Sequence, residues 1–256
     1  MDATTTITNA ITTSNYPALH NFFTITHPTL NAGEQRTLSA HFIVTAVKNS
    51  DFFPNAFKNP AVQKIIDTTL ANLPAVLEEG ADNTLRHQLF DFKVEEGDYA
   101  EAARYLAGVR MEDNENSPYY MKPIDRCDIY VKVAECYLEE EAPVDAEGAV
   151  GKAGSVIETH GISFPVKEND EGGDNVAQLK PGEDQERIIT LLLRYKSTYA
   201  RILDANRKFL QAAMKYYDLS TAYLHTNKID NDDLMIMLGK AVTCAILSPN
   251  SAQRKR

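Results

Sequence analysis

Six histidines, at positions 20, 27, 41, 87, 160 and 225, and three cysteines, Cys127, Cys136 and Cys244, are the first residues to weigh as metal ligands or nucleophiles. Zinc-binding helices set two histidines four residues apart on one face, and no two histidines here have that spacing. The cysteines are odd in number, form no CxxC pair and fall in helix-periodic segments, where a thiol reads as a small core residue. A reducing compartment suits them. Gly151-Lys152 has the end of a phosphate loop, but the earlier glycine is replaced by Ala146, the hydroxyl after the lysine by Ala153, and no strand precedes it. Asn169 to Asn175 holds carboxylates and two glycines, yet calcium-loop spacing would put the first ligand at Lys167. Glu139-Glu140-Glu141 and Asp232-Asp233 are adjacent acids, which point about 100° apart on a helix and so cannot work as a facing acid–base pair. No catalytic, cofactor-binding or metal-binding residue is expected, and no small-molecule substrate.

A chain without such chemistry acts through surfaces, and here those are built by helices. Leading into and through the stretch from Tyr195 to Ser220, Ile188, Leu192, Tyr195, Tyr199 and Ile202 share one helical face, followed by the polar break Asp204 to Arg207. A second set then runs Phe209, Ala212, Ala213, Tyr216, Leu219 and Tyr223, so a helical hairpin is predicted. The pair Ala212-Ala213 lets two backbones come close, with Phe209 and Tyr216 filling the space on either side.

The same plan occurs earlier. A helix with Leu85, Leu89 and Phe92, the turn Glu96-Gly97-Asp98 and Tyr99 to Val109 form a first pair; Asp125 to Leu138 and Val144 to Ile157 form a second. Asp125 is expected to cap the second pair and Asp230 or Asn231 a further helix, Asn231 to Ser248, whose core face is predicted as Leu234, Met237, Leu238, Ala241, Ala245 and Ile246. Tyr99 and Val144, the first large apolar residues of two partner helices, are 45 positions apart, and Val144 and Phe209 are 65 apart. The excess lies in the segment 160–186, rich in Gly, Asp and Glu and without apolar period, which reads as an acidic flexible loop. The fold predicted is all-α: a right-handed α-solenoid of antiparallel helix pairs, similar to tetratricopeptide or HEAT repeats, over 83–256. Residues 1–82 are expected to continue or cap it with short helices over Tyr16 to Thr26, Glu34 to Lys48 and Pro60 to Leu73.

At 256 residues and 43% hydrophobic content a sizeable core is available. The formal net charge of -10 opposes general adhesion to nucleic acid or anionic lipid, and the basic run Arg254-Lys255-Arg256 does not reverse that. The Thr-rich start has no basic region ahead of an apolar run, so no secretory signal is read, and no window reaches the length of a membrane span. A location in cytoplasm and nucleus is expected.

The blocks GDYAEAARYLAGV (97–109), YVKVAECYLEEEAPVDAEGAVGKAG (130–154), YKSTYARILDANRKFLQAAMKYYDLS (195–220) and TCAILSPNSAQRKR (243–256) resemble the N-terminal helical region of the COP9 signalosome subunit 4 family, within the PCI-domain proteins. The resemblance implies a non-catalytic scaffold and substrate-sensing arm of a complex whose metalloprotease subunit, elsewhere in the assembly, removes NEDD8 from cullin–RING ubiquitin ligases. It implies other signalosome subunits and the cullin–RING ligase as partners. The chain is expected to stop before the family's PCI winged helix, with which ring contacts are made. Alternatives from the same repeat plan are a PCI-type lid subunit of the proteasome regulatory particle and a free-standing peptide-binding helical-repeat adaptor. Arg201, Asn206, Arg207 and Lys208, at the third repeat turn, are the candidate partner-facing residues, with capping of the preceding helix's carbonyls as their structural alternative.

Overall fold

The computed structural model describes residues 3–49, 52–74, 77, 80–164, 183–223 and 231–249. Among these no strand forms; Glu112 and Tyr120 make an isolated bridge. Most of the expected acidic loop (165–182), the calcium-like stretch within it, His225, Asp230, the basic tail and the side chains of Tyr223 and Asn231 lie outside the described residues. The chain divides into two compact units, Met1–Met121 and Lys122–Arg256.

The first unit begins with helix α1 (Ala3–Thr12), which the sequence reading does not predict. Its threonines are poor helix formers, and Ile7 and Ile11, four apart and fully buried, with Ala10, mark its inner face. The hydroxyls of Thr8 and Thr12 donate to the carbonyls of Thr4 and Thr8, at 2.9 and 3.0 Å, so the polar side chains stay within the helix surface. The expected Tyr16 to Thr26 helix is instead three pieces: α2 (Tyr16–Asn21), a wider π-type turn (Phe22–Thr26) and a 3₁₀ turn (His27–Thr29) holding Pro28. Loosening the turn brings Phe22, Phe23 and His27 all inward. Then follow α3 (Ala32–Lys48), started by a capping box between Asn31 and Glu34, α4 (Phe53–Ala56) and α5 (Pro60–Ala71), with Pro60 in its first turn. A chain of ring contacts through Phe23, Phe42, Phe52, Phe53, Phe57 and Phe92 unites this core. The first predicted pair, α6 (Ala81–Glu96) and α7 (Tyr99–Ala107), packs here too, with α6 against α3.

The second unit is α8 (Pro123–Glu139), α9 (Pro143–Thr159), α10 (Glu183–Ala205), α11 (Phe209–Tyr223) and α12 (Asn231–Leu247). Each helix packs on its successor, and α10 also packs on α8, which is the stacking of a helical-pair solenoid. Ala212 and Ala213 join Ala200, Leu203, Tyr216, Ala241 and Cys244 in one core, so the small pair sits at the close approach as predicted, with Phe209 half-buried beside it. Tyr195 turns instead toward α8 and α9, packing with Cys127, Val131 and Ala153. There a Cβ on Gly154 would stand 2.7 Å from the Tyr195 hydroxyl, so any larger residue would displace the Tyr195 ring.

Four expectations change. Val144 is 74% exposed; the inner face of α9 starts a half-turn later, at Ala146, Ala149, Val150 and Ala153. Asp125 does not cap α8, whose N-cap is Lys122 without a side-chain bond; it lies one turn inside and pairs with Arg187. Residues 183–186 belong to α10 rather than to the loop. On α12 the buried line is Ala241, Cys244 and Ser248, while Ala245 and Ile246 face outward.

One backbone device recurs at the α6–α7, α8–α9 and α10–α11 hairpins. Gly97, Glu141 and Arg207 each take positive φ (77°, 54° and 57°) just past the end of α6, α8 and α10. In each, the next residue's amide reaches back: Asp98 to the Lys93 carbonyl at 2.9 Å, Ala142 to Tyr137 at 2.9 Å, Lys208 to Leu203 at 2.8 Å. This left-handed cap satisfies the last carbonyls and reverses the chain. Gly161 ends α9 in the same way, with Ile162 donating to the Ile157 carbonyl.

Candidate binding surface

Helices α8 and α10 face each other through charge. Aspartates and glutamates on α8 at Asp125, Asp128, Glu135 and Glu139 lie on one face, and arginines on α10 recur every seventh residue at Arg187, Arg194 and Arg201. Arg187 pairs with Asp125; Arg194 reaches Asp128 at 2.8 Å and Glu135 at 2.5 Å; Arg201 reaches Glu139 at 3.1 Å. Thr198, buried, donates a longer bond of 3.4 Å to Glu135. Pairing that ascends along both helices means that they run parallel, as first helices of successive pairs should. Burial draws the Arg194 guanidinium down, but the Glu135 hydrogen bond and the nearby Asp128 outweigh it and hold Arg194 above its ordinary value.

The ladder continues onto the second helices and takes up the candidate residues. The Asn206 amide donates to Glu147 at 2.8 Å and to the Pro143 carbonyl at 3.2 Å, and the Lys208 ammonium meets the other Glu147 oxygen at 2.5 Å. The side chains of Arg201, Asn206 and Lys208 are thus brought together as cross-repeat ties, while the backbone amides of Asn206 and Lys208 cap the last carbonyls of α10, at Ile202 and Leu203. Arg207 is the exception. It sits at the left-handed apex of the turn, exposed and with no side-chain partner among the described residues. The acids opposite these residues were missed by the sequence reading, although the seven-residue spacing of Arg187, Arg194 and Arg201 was there to be matched to that of Asp128 and Glu135.

Elsewhere Arg104 joins Asp67 at 3.2 Å and Arg110 joins the buried Asp82 at 3.3 Å, while the histidines are held singly. His27 is buried with Nε2 3.1 Å from the Gln35 carbonyl oxygen, His41 meets Thr8, and His160 accepts from Arg126 at 2.9 Å. Among the described residues no group of His, Cys, Asp and Glu has the arrangement of a metal site. Burial pushes the thiols of Cys136 and Cys244 up to about 11 and that of Cys127 up to about 12, so all three stay protonated and poorly nucleophilic. No helix among the described residues is long and apolar enough to cross a membrane.

No protein-family model matches the chain. Curated proteins do. COP9 signalosome complex subunit 4 of Arabidopsis thaliana is 30% identical over 175 residues, 67% of this chain and 37% of that protein. The subunit 4 proteins of Dictyostelium discoideum and Emericella nidulans are 28% and 27% identical over 174 and 178 residues, covering 67% and 70% of the chain. The chain is a relative of COP9 signalosome subunit 4. The match spans little more than a third of the length of these subunit 4 proteins. The ladder fixes the stacking of successive helix pairs, and so the surface that they present.

Proposed function

We propose that the chain is a non-catalytic arm of a COP9 signalosome-type complex, contacting sister subunits and a cullin–RING ligase while another subunit removes NEDD8. The reading rests on its similarity to subunit 4 proteins from a plant, a slime mould and a fungus. The helix-pair architecture supports it, because a solenoid binds through an extended surface and needs no reactive side chain. Arg207, with Met214 and Tyr217 exposed on α11, offers a cation and apolar surface to a partner near the third turn. Cytoplasm and nucleus, where cullin ligases work, are the proposed locations.

The test is affinity purification of the protein, tagged at its own locus, followed by mass spectrometry. Recovery of signalosome subunits with neddylated cullin is expected. Recovery of proteasome lid subunits instead would sink the reading, as would a clean preparation of this chain with neither.

A further inference from the structure

The chain between Ala107 and Pro123, which joins α7 to α8, folds back on itself as a clip with a tied base and a solvent-facing tip. At the base the Asn83 side chain holds both backbone groups of Arg110, at 2.9 and 2.7 Å, and the Arg110 guanidinium stands 3.3 Å from buried Asp82. The Glu112 amide donates to the Tyr119 carbonyl at 3.0 Å and the Met121 amide to the Glu112 carbonyl at 3.2 Å, which closes the clip. The Tyr119 ring, 1% exposed, enters the core, and its hydroxyl accepts from the Leu77 amide at 2.9 Å. The tip is a turn in which the Ser117 amide donates to the Asn114 carbonyl at 2.9 Å, and residues 112–116 are exposed. Ser117 is half-buried where tip meets base. Its Oγ accepts from the Tyr119 amide at 3.1 Å, and exposed Pro118 follows it.

We propose that Ser117 is a phosphorylation site for a proline-directed protein kinase, and that the phosphate loosens the seat of Tyr119. Two serines of the chain precede proline, Ser117 and Ser248. Ser248 is 3% exposed on the packed side of α12, so the same dipeptide gives a kinase one hydroxyl to reach and one to miss. A kinase takes its substrate as an extended segment, and the tip is held by turn bonds alone, so it opens without unfolding a helix. In the transfer the Ser117 Oγ bonds to the γ-phosphorus of ATP as the bond from that phosphorus to the β-phosphate oxygen breaks. ADP leaves, and the hydroxyl proton passes to the kinase. The product carries about -1.5 to -2 charges at pH 7. From Glu112 to Tyr120 the charged side chains are Glu112, Asp113 and Glu115, all acids, so the added charge opposes the closed turn. The phosphate also cannot stay in the half-buried place of a hydroxyl, and as it leaves the Tyr119 amide loses its acceptor. Neither step rests on the signalosome reading, and the two can fail separately.

Incubating the complete folded chain with a purified proline-directed kinase, ATP and magnesium, then mapping phosphate by peptide mass spectrometry, tests the site. One phosphate on Ser117 and none on Ser248 is expected, with none on Ser117→Ala and at least tenfold slower transfer to Pro118→Ala. Hydrogen exchange then reads the consequence. Amides of 111–121 should exchange at least tenfold faster in the phosphorylated protein while those of α3 keep their rates. Ser117→Ala removes the acceptor without adding charge, so it should speed the same amides less. No transfer to the folded chain, phosphate on Ser248, or unchanged exchange after transfer would each overturn the proposal, as would an equal effect of Ser117→Ala.

Discussion

Arg194 on α10 binds two acids that lie seven residues apart on α8, with Nη2 2.5 Å from Glu135 and Nη1 2.8 Å from Asp128. One cation therefore spans two turns of the neighbouring helix and fixes the register of one repeat on the next. Removing it leaves Glu135 and Asp128, both less than a third exposed, without their shared counter-charge; Lys132 remains for Asp128, at 2.9 Å. Arg194→Ala should cost about 1–2 kcal/mol in urea unfolding. Arg201→Ala, whose pair with Glu139 is nearly half exposed on both sides, should cost no more than about 0.5 kcal/mol. Equal losses at the two sites would mean that the ladder does not set register through Arg194.

Glu141 and Arg207 occupy the left-handed position that Gly97 fills without strain. A side chain there crowds the following carbonyl, at about 1–2 kcal/mol, part of which glycine returns through its freer unfolded chain. Glu141→Gly and Arg207→Gly should each raise stability by about 0.5–1 kcal/mol, and Gly97→Ala should lower it by about 1 kcal/mol. Differential scanning calorimetry of the three variants checks the signs. Because the Arg207 side chain has no partner among the described residues, Arg207→Gly also separates roles: a variant that is more stable yet loses partner binding marks the guanidinium as a contact.

The repeats were legible because the hairpins leave three signals in the chain: apolar side chains at helical spacing, small residues at the crossing and polar turns. The α10–α11 pair shows all of them, and its core at Ala200, Ala212, Ala213 and Tyr216 follows. Where one signal was missing, the reading failed. Helix α1 hides behind threonines, since its burial rests on Ile7, Ala10 and Ile11. On α12 nearly every position is apolar, so periodicity could not distinguish the face that packs, through Cys244, from the face that carries Ile246. Arg201, Asn206 and Lys208 were found as a cluster, but a sequence lists charges one helix at a time. Their opposite numbers, Glu139 and Glu147, lie about sixty residues earlier and meet them only in the stack.

Cys127, Cys136 and Cys244 bear on alkaline stability. Burial raises each thiol above its ordinary range, Cys127 to about 12 and the others to about 11. The folded state thus holds these protons more tightly than the unfolded chain does. Their contribution is complete below about pH 9 and is lost as pH rises through 11 to 12. Tyr195, raised by burial to about 12 from 10.0, acts in the same direction over pH 10–12. Urea midpoints should therefore fall between pH 9 and 11, and Cys127→Ala should flatten that fall at some cost in packing. At pH 8 a thiol reagent should label the three cysteines only as fast as the helices open; rapid labelling of the folded protein would contradict their burial.

Ala213 tests the packing of the third pair most directly. It lies 8% exposed where α10, α11 and α12 meet, with Ala200, Leu203 and Cys244 as neighbours in the same core. Lys215 and Lys240 lie over the rings of Tyr199 and Tyr216 at the edge of that core, so Ala213→Glu must either charge an apolar crossing or force the helices apart to reach them. A loss of about 3 kcal/mol or more in urea unfolding is expected, whereas Met214→Glu, one position on and facing outward, should change stability by less than about 0.5 kcal/mol. The contrast between adjacent residues carries the result: similar melting of the two variants would place the crossing on the wrong face of α11, and the stacking of α12 with it.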